Sequence, residues 1–249
     1  MLGVGISVIN MDDALELSDR QIRSGEQGYI CVTDVHTVIE AQSDESFRRI
    51  LNNSFITTPD GMPLVWVGQL QGHRRISRVY GPDYLIEMCR VSPRRGYRHF
   101  FFGGGPGVAG RLARNLTKRF PGLEVVGTYT PPFRSLSSSE EKELEGMVQQ
   151  AKPDVFWVGI GSPKQERFMA QYCGRLQVSL MVGVGAAFDI HAGLVKEAPQ
   201  WMKSLGLQWV HRLIQEPGRL WKRYAVCVPS FVWGISLQLL GVRNVNVEV

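Results

Sequence analysis

Five short runs along the chain are dominated by β-branched and aromatic residues: "YICVT" (29–33), "HFFFG" (99–103), "LEVVG" (123–127), "VFWVG" (155–159) and "LMVGVG" (180–185). A strand with one wet face alternates apolar and polar side chains, whereas a strand covered on both faces is apolar at successive positions. The runs therefore predict strands buried on both faces of a parallel sheet. Between them, apolar residues recur with helical period in "MDDALELSDRQIRSG" (11–25), "PGVAGRLARNLTKRF" (106–120), "SSSEEKELEGMVQQA" (137–151) and "PKQERFMAQYCGRL" (163–176). In the third of these, Ser137–Ser139 supply N-cap side chains and the early glutamates suit the helix dipole. Strands alternating with helices predict an α/β fold: a Rossmann-like, open and mainly parallel sheet flanked by helices.

In such a sheet, ligands bind beyond the carboxyl ends of the strands. Three of the five runs end in glycine-rich turns: "GGGPG" (103–107), "GIGSP" (159–163) and "GVGAAFD" (183–189). A single such turn is ordinary loop geometry, but three at equivalent strand ends predict a shared cleft. Backbone N–H groups exposed there suit an anion such as a diphosphate. "GPGVAG" (105–110) also reads as GxGxxG after a strand, the glycine pattern of a dinucleotide site. That site needs an acidic residue at the end of the next strand, and here the only candidate, Glu124, opens the strand instead. An NAD-dependent oxidoreductase therefore stays as an alternative that the strand ends do not favour. No GxxxxGK[ST] loop, DxD, HExxH or His/Cys cluster occurs, and the five histidines (36, 73, 99, 191, 211) are dispersed, so neither a cofactor nor a metal is expected.

The charge changes the picture at one end only. Of 249 residues, positions 196–243 hold seven basic and two acidic side chains, so the net charge of +5 resides there. With the shift in composition near Gly193–Pro199, this predicts two parts: a catalytic domain over 1–195 and an appendage over 196–249. Within the appendage, "VPSFVWGISLQLLGV" (228–242) is apolar but interrupted by Pro229, Ser230, Ser236 and Gln238. It is shorter than the about 20 residues of a spanning helix. Flanked by basic residues and rich in Phe and Trp, it suits a helix lying in an anionic membrane interface, or else one packed on the domain or on another subunit. The four separated cysteines read as reduced thiols, the N-terminus lacks the pattern of a signal peptide, and no nucleic-acid partner is expected.

Two polar clusters interrupt the apolar pattern. "SFITTPDGMPLVWVGQL" (54–70) carries Pro-Asp-Gly, a favoured turn, directly before an apolar segment that must pack. Asp60 is then either a turn former or a carboxylate held near apolar surface, where a raised pKa suits a general base. Lys164–Arg167, after "GIGSP", is either a solvated first helical turn or a ligand contact.

Together "TPDGMPLVW", "RVYGPD", "FFGGGPGVA", "GTYTPPF", "VGIGSPKQE", "VGVGAAFDIHAG" and "QWVHRLIQEPGRLWKRY" resemble the bacterial glycosyltransferases of the WecG/TagA/CpsF family, in family order from about residue 29 to 224. The resemblance implies transfer of a hexose or N-acetylhexosamine from a UDP-sugar to a polyprenyl-diphosphate-linked saccharide, with inversion and without metal. It implies work on the cytoplasmic face of the cell membrane, by a peripheral enzyme for which a homo-oligomer is open. By motif position it implies Asp60 as catalytic base and Thr33 at the mouth of the same pocket. It also implies Arg78 and Gln165 as residues that position sugar or diphosphate. The UDP-sugar site would use Gly103, Gly104, Tyr129, Gly159, Gly161, Gly183, Gly185 and Asp189, with Gln165 near the sugar. Arg212, Arg219, Lys222 and the neighbouring Arg223 would neutralise the departing diphosphate. The family often reads T-x-N where this chain has Thr33, Asp34, Val35. An amide there suits an N-acetyl group, so its loss leaves the sugar open and allows the glucose-using, xanthan-type branch. A non-catalytic, nucleotide-binding membrane adaptor is the remaining alternative.

Overall fold

A computed structural model describes residues 1–242 and Val247, with only the backbone of Arg219. The elements in chain order are α1 (Met11–Ser24), β1 (Gly28–Thr33), α2 (Val35–Ser43), α3 (Glu45–Asn52), β2 (Ile56–Pro59), α4 (Met62–Leu70), α5 (Gly81–Arg95), β3 (Arg98–Gly103) and α6 (Val108–Arg119). They continue with β4 (Glu124–Tyr129), α7 (Ser138–Ala151), β5 (Val155–Gly159), α8 (Lys164–Tyr172), β6 (Leu180–Gly183), α9 (Ala187–His191), α10 (Gln200–Ser204), α11 (Gln208–Gln215) and α12 (Pro217–Leu239). The strands form one sheet in the order β2-β1-β6-β5-β3-β4, every pairing parallel.

Four of the five apolar runs have the predicted cause; the fifth, β4, is an edge strand with Glu124 exposed and Val125–Tyr129 only half-buried. Along each inner strand, successive side chains enter opposite cores. Ile30, Phe101, Trp157 and Val182 join one core with residues of α1, α5, α6 and α9. Tyr29, Cys31, Phe100, Phe102, Phe156, Val158 and Met181 join the other, with residues of α2, α3, α7, α8 and α12. Inside the first core, His99 bridges Trp157 Nε1, at 2.9 Å, and Ser92 Oγ, at 2.8 Å. Burial drives its pKa down to about 3, so it is a neutral packing residue.

Differences from the sequence reading lie at the ends and edges. The run 180–185 stops as a strand at Gly183, and Pro163 precedes α8 instead of opening it. β2, read from sequence only as a turn region, is a four-residue edge strand. Pro229 does not interrupt the tail: α12 runs through it for 23 residues. A proline inside a helix removes one hydrogen bond, and tertiary packing can offset that loss. Here Leu220, Cys227, Phe231 and Ile235 are buried along one side of α12, and the Gln238 side-chain oxygen accepts from the Leu2 amide at 2.8 Å. Among the described residues no helix is long and apolar enough to cross a membrane.

Candidate active site

Because all six strands are parallel, their carboxyl ends share one edge of the sheet. Thr33 pairs in register with Pro59, Gly103 with Gly159, and Val158 with Gly183, so the predicted loops emerge side by side. Two of these glycines are required by contact. A Cβ on Gly159 would stand 2.0 Å from the Phe188 ring, and one on Gly103 (φ +135°) would stand 2.5 Å from the Gly159 carbonyl oxygen. Gly104, with its amide 2.9 Å from that same oxygen, closes the turn.

β2 delivers Asp60 to this edge. The Asp60 amide donates to the Thr33 carbonyl at 2.9 Å, extending the ladder one residue past the strand. Its Oδ1 accepts from the Gly81 amide at 2.8 Å, at the N-terminus of α5. That bond and the helix dipole favour the carboxylate. Burial acts the other way and prevails: the pKa is raised to about 6, with Arg78 and Arg212 pulling it down and Asp34 pushing it up. Asp60 still keeps part of its surface exposed. It is a carboxylate poised near neutrality, within reach of solvent. Thr33 beside it is buried, with its hydroxyl donating to the Cys31 carbonyl at 3.3 Å.

Arg78 is fixed from three sides. Its Nε donates to the Asp60 carbonyl at 2.5 Å, its guanidinium lies 4.3 Å from the Tyr80 ring centroid, and it donates to Gln208 Oε1. Gln208 in turn donates to the Tyr80 hydroxyl. Gln208 opens α11, so the C-terminal segment reaches the Asp60 cluster directly. α12 reaches it as well: Arg223 stands 4.0 Å from Asp34 Oδ2, and its Nε is buried without a partner. Asp34 caps α2 through the Thr37 amide at 2.9 Å. Burial works to raise its pKa, but Arg223 and the Thr37 amide hold it below the ordinary carboxylate value.

The first turn of α8 forms the next wall. Lys164 is exposed and Arg167 pairs with Asp44, yet Gln165 and Glu166 are buried. Gln165 lies against Gly183 and Gly185, where added Cβ atoms would come within 3.0 Å and 3.4 Å of its amide group. Gly161 (φ +81°) precedes the turn, and its carbonyl accepts from the Gln165 amide at 2.9 Å.

Asp60, Thr33, Arg78 and Arg212 thus share one cluster, Arg223 joins it through Asp34, and Gln165 groups with the glycine turns of β5 and β6. Tyr129 stands apart. It ends β4, at the opposite edge from β2, and stacks on Phe102 with ring centroids 5.7 Å apart. Five inter-strand spacings of about 4.8 Å put its strand about 24 Å from β2, which leads into Asp60. Asp189 is half-buried on α9, and its carbonyl accepts from the Leu194 amide at 2.9 Å. Lys222 is exposed over the Trp221 ring, and the Arg219 side chain lies outside the described residues. Sequence reasoning gave Tyr80 and Gln208 no role of their own, read Glu166 only as part of the polar turn 164–167, and noted Asp34 only as the middle residue of Thr33-Asp34-Val35. The signals were present without being resolved: Glu166 lies in the polar turn after "GIGSP", Tyr80 in "RVYGPD", and Gln208 opens "QWVHRLIQEPGRLWKRY".

A half-buried carboxylate near neutrality, ringed by arginines at the carboxyl edge of a parallel sheet, is equipped to take a proton while an anion departs. The model of the glycosyl transferase WecG/TagA/CpsF family matches residues 1–245. The N-acetylglucosaminyldiphosphoundecaprenol N-acetyl-beta-D-mannosaminyltransferase of Bacillus subtilis (strain 168) is 31% identical over 191 residues, covering 77% of this chain and 72% of the relative. The enzyme of the same name from Bacillus spizizenii (strain ATCC 23059 / NRRL B-14472 / W23) is 27% identical over 207 residues, covering 83% of this chain and 78% of the relative. The motifs, the parallel sheet and these matches agree, and the chain belongs to the WecG/TagA/CpsF family of glycosyl transferases.

Proposed function

We propose that this protein transfers a hexose or N-acetylhexosamine from a UDP-sugar to a polyprenyl-diphosphate-linked saccharide, with inversion and without a metal, at the cytoplasmic face of the cell membrane. The observation that carries the reading is Asp60, raised to about 6 and flanked by Arg78 and Arg212. Asp60 takes the proton of the acceptor hydroxyl as that oxygen bonds to C1 of the donor sugar. The bond from C1 to the diphosphate oxygen breaks, and its electron pair leaves with UDP. Attack opposite the leaving group inverts C1. Arg212, Arg223 and the amides of the glycine turns meet the charge that develops on the diphosphate. Two relatives named as acting on an undecaprenol-linked N-acetylglucosamine support the acceptor class. Val35 in place of an asparagine keeps both glucose and N-acetylmannosamine as donors to be tried.

In the proposed step the charge on the diphosphate is neutralised by arginine and backbone dipoles. A UDP-sugar panel, offered to lipid-diphosphate monosaccharides and read by product mass, tests the whole reading. Product is expected from one UDP-hexose or UDP-N-acetylhexosamine, at the same rate with and without EDTA. Loss on chelation with recovery on adding Mn²⁺ would refute the metal-free step. No product from any member, with UDP still bound, would favour an adaptor.

The outer side of α12 supports the membrane partner. Trp221, Val232, Trp233 and Leu239 are exposed on a helix that also carries Lys222 and Arg223. Apolar side chains with basic neighbours suit an anionic interface, each basic residue contributing about 1 kcal/mol. Changing Val232 and Trp233 together to serine is expected to weaken binding to anionic vesicles at least tenfold in a sedimentation assay, while UDP affinity stays unchanged. Equal vesicle binding by the variant would remove α12 as the contact.

A further inference from the structure

Gln165 and Glu166 stand in the first turn of α8, where such side chains are ordinarily solvated, yet they are 3% and 0% exposed. Buried polar atoms are expected to find partners, and here the two make a single bond to each other. Gln165 Nε2 donates to Glu166 Oε1 at 3.0 Å. Gln165 Oε1 and Glu166 Oε2 have no partner. An acceptor buried and left unmade carries its full desolvation cost, which a ligand donor would relieve.

The amide has little freedom. An added Cβ on Gly183 would stand 3.0 Å from its nitrogen and 3.2 Å from its Cδ, and one on Gly185 would stand 3.4 Å from its oxygen. The group is pressed against the turn after β6, with its unpaired oxygen toward Gly185 at the carboxyl edge. Turning over in place is the motion left to it, and that exchanges the atom facing Glu166 for the atom facing the cleft. An ionised carboxylate only accepts, so it holds the NH₂ end and presents the amide oxygen to the cleft. A neutral carboxylic acid donates its proton to the amide oxygen and presents the NH₂ end instead. We propose that Glu166 is a positioning residue that sets which end of the Gln165 amide meets the donor sugar. With Glu166 ionised, the amide oxygen accepts from a sugar hydroxyl or N–H; with Glu166 protonated, the NH₂ end still meets a hydroxyl oxygen but not an N–H, so the contact to an N-acetyl N–H is the one lost. The inference rests on the assignment of Gln165 to the UDP-sugar site.

The surroundings bring the switch near neutrality. Burial raises Glu166 to about 7, while its own amide, Gln165 and the Ser162 hydroxyl pull it down and Asp34 pushes it up. Cys31 on β1 faces it, with the thiol pushed well up by burial. Beyond Asp34 stand Arg223 on α12 and His36 on α2, the latter lowered by burial and by Arg223. Where α3 meets α8, Asp44 and Arg167 are paired with each other.

The test compares the Kd of UDP-N-acetylmannosamine and of UDP-glucose with that of UDP, by calorimetry, between about pH 6 and about pH 8. The ratio to UDP removes titration that acts only on the nucleotide and phosphates. In the native protein, the ratio for UDP-N-acetylmannosamine is expected to fall about three- to tenfold on acidification, the worth of one hydrogen bond, with a midpoint near neutrality, while that for UDP-glucose, whose hydroxyls also accept, changes less. In Glu166→Gln, which keeps the shape but cannot ionise, the ratio should be flat while UDP binds as before. Gln165→Ala should flatten it as well, and the native protein alone decides if Glu166→Gln fails to fold. A flat ratio in the native protein, or an unchanged pH dependence in folded Glu166→Gln, would overturn the proposal and leave the site assignment standing. Failure of UDP itself to bind would overturn the site assignment and the proposal together.

Discussion

Asp60→Asn is expected to lower turnover by roughly 10²–10⁴-fold, the usual worth of a general base, with UDP affinity unchanged. Asparagine keeps the side-chain oxygen that accepts from Gly81, so the N-terminus of α5 stays capped. It lacks only the capacity to take a proton. Native turnover is expected to rise with pH through about 6 and then level, because the base works in its ionised form. Stability should run the other way. Above about pH 6 the folded protein holds an ionised carboxylate that burial disfavours. Between about 6 and the unfolded value near 4, the native state binds a proton that the unfolded chain does not, so stability falls as pH rises through this window. Asp60→Asn should therefore melt higher than the native protein near pH 8, with the gap closing toward pH 4. Near-native turnover in the variant would return Asp60 to the role of a turn former.

Phe231→Ala is expected to destabilise the whole protein by about 3–5 kcal/mol, in a single urea transition followed by tryptophan fluorescence. Phe231 is 4% exposed, and with Ile235 it enters the same core as Leu2, Val38 and Phe47. A loss of that size is a large part of the about 5–15 kcal/mol that holds a typical domain together. Val232, the next residue, is 58% exposed, and Val232→Ala should change stability by less than about 0.5 kcal/mol. The contrast separates the two sides of one helix. A cost below about 1 kcal/mol for Phe231→Ala would mean that α12 opens independently of the sheet.

The inner strands were legible because a doubly covered strand needs no partner to announce itself: Phe100–Phe102 and Val155–Val158 are apolar at every position. β2 was not, since "ITTP" is four residues at an edge and two of them are threonines. The glycine turns were legible as a group, and Gly103 against Gly159 gives the steric reason. Asp60 stood out by motif, but its charge state depends on Arg78, Asp34 and Arg212, which meet only in the folded chain. Glu166 was read with Lys164 and Arg167 as one polar turn. Sequence adjacency could not separate the two residues that turn inward from the two that remain at the surface.

The strand order has a consequence for how the chain comes together during synthesis. β1 neighbours β2, and β3 lies between β4 and β5, but the two groups share no edge. β6 joins them, pairing with β1 on one side and β5 on the other, and its residues are the last of the sheet to be made. Until Leu180–Gly183 emerge, β1 and β5 each present an open, apolar edge, the kind of surface that recruits other chains. A ribosome paused before this point would hold two half-sheets waiting for a keystone. The same late strand ends in Gly183 and leads into Gly185, the glycines against which Gln165 rests, so the recognition wall can be assembled only after the halves have closed.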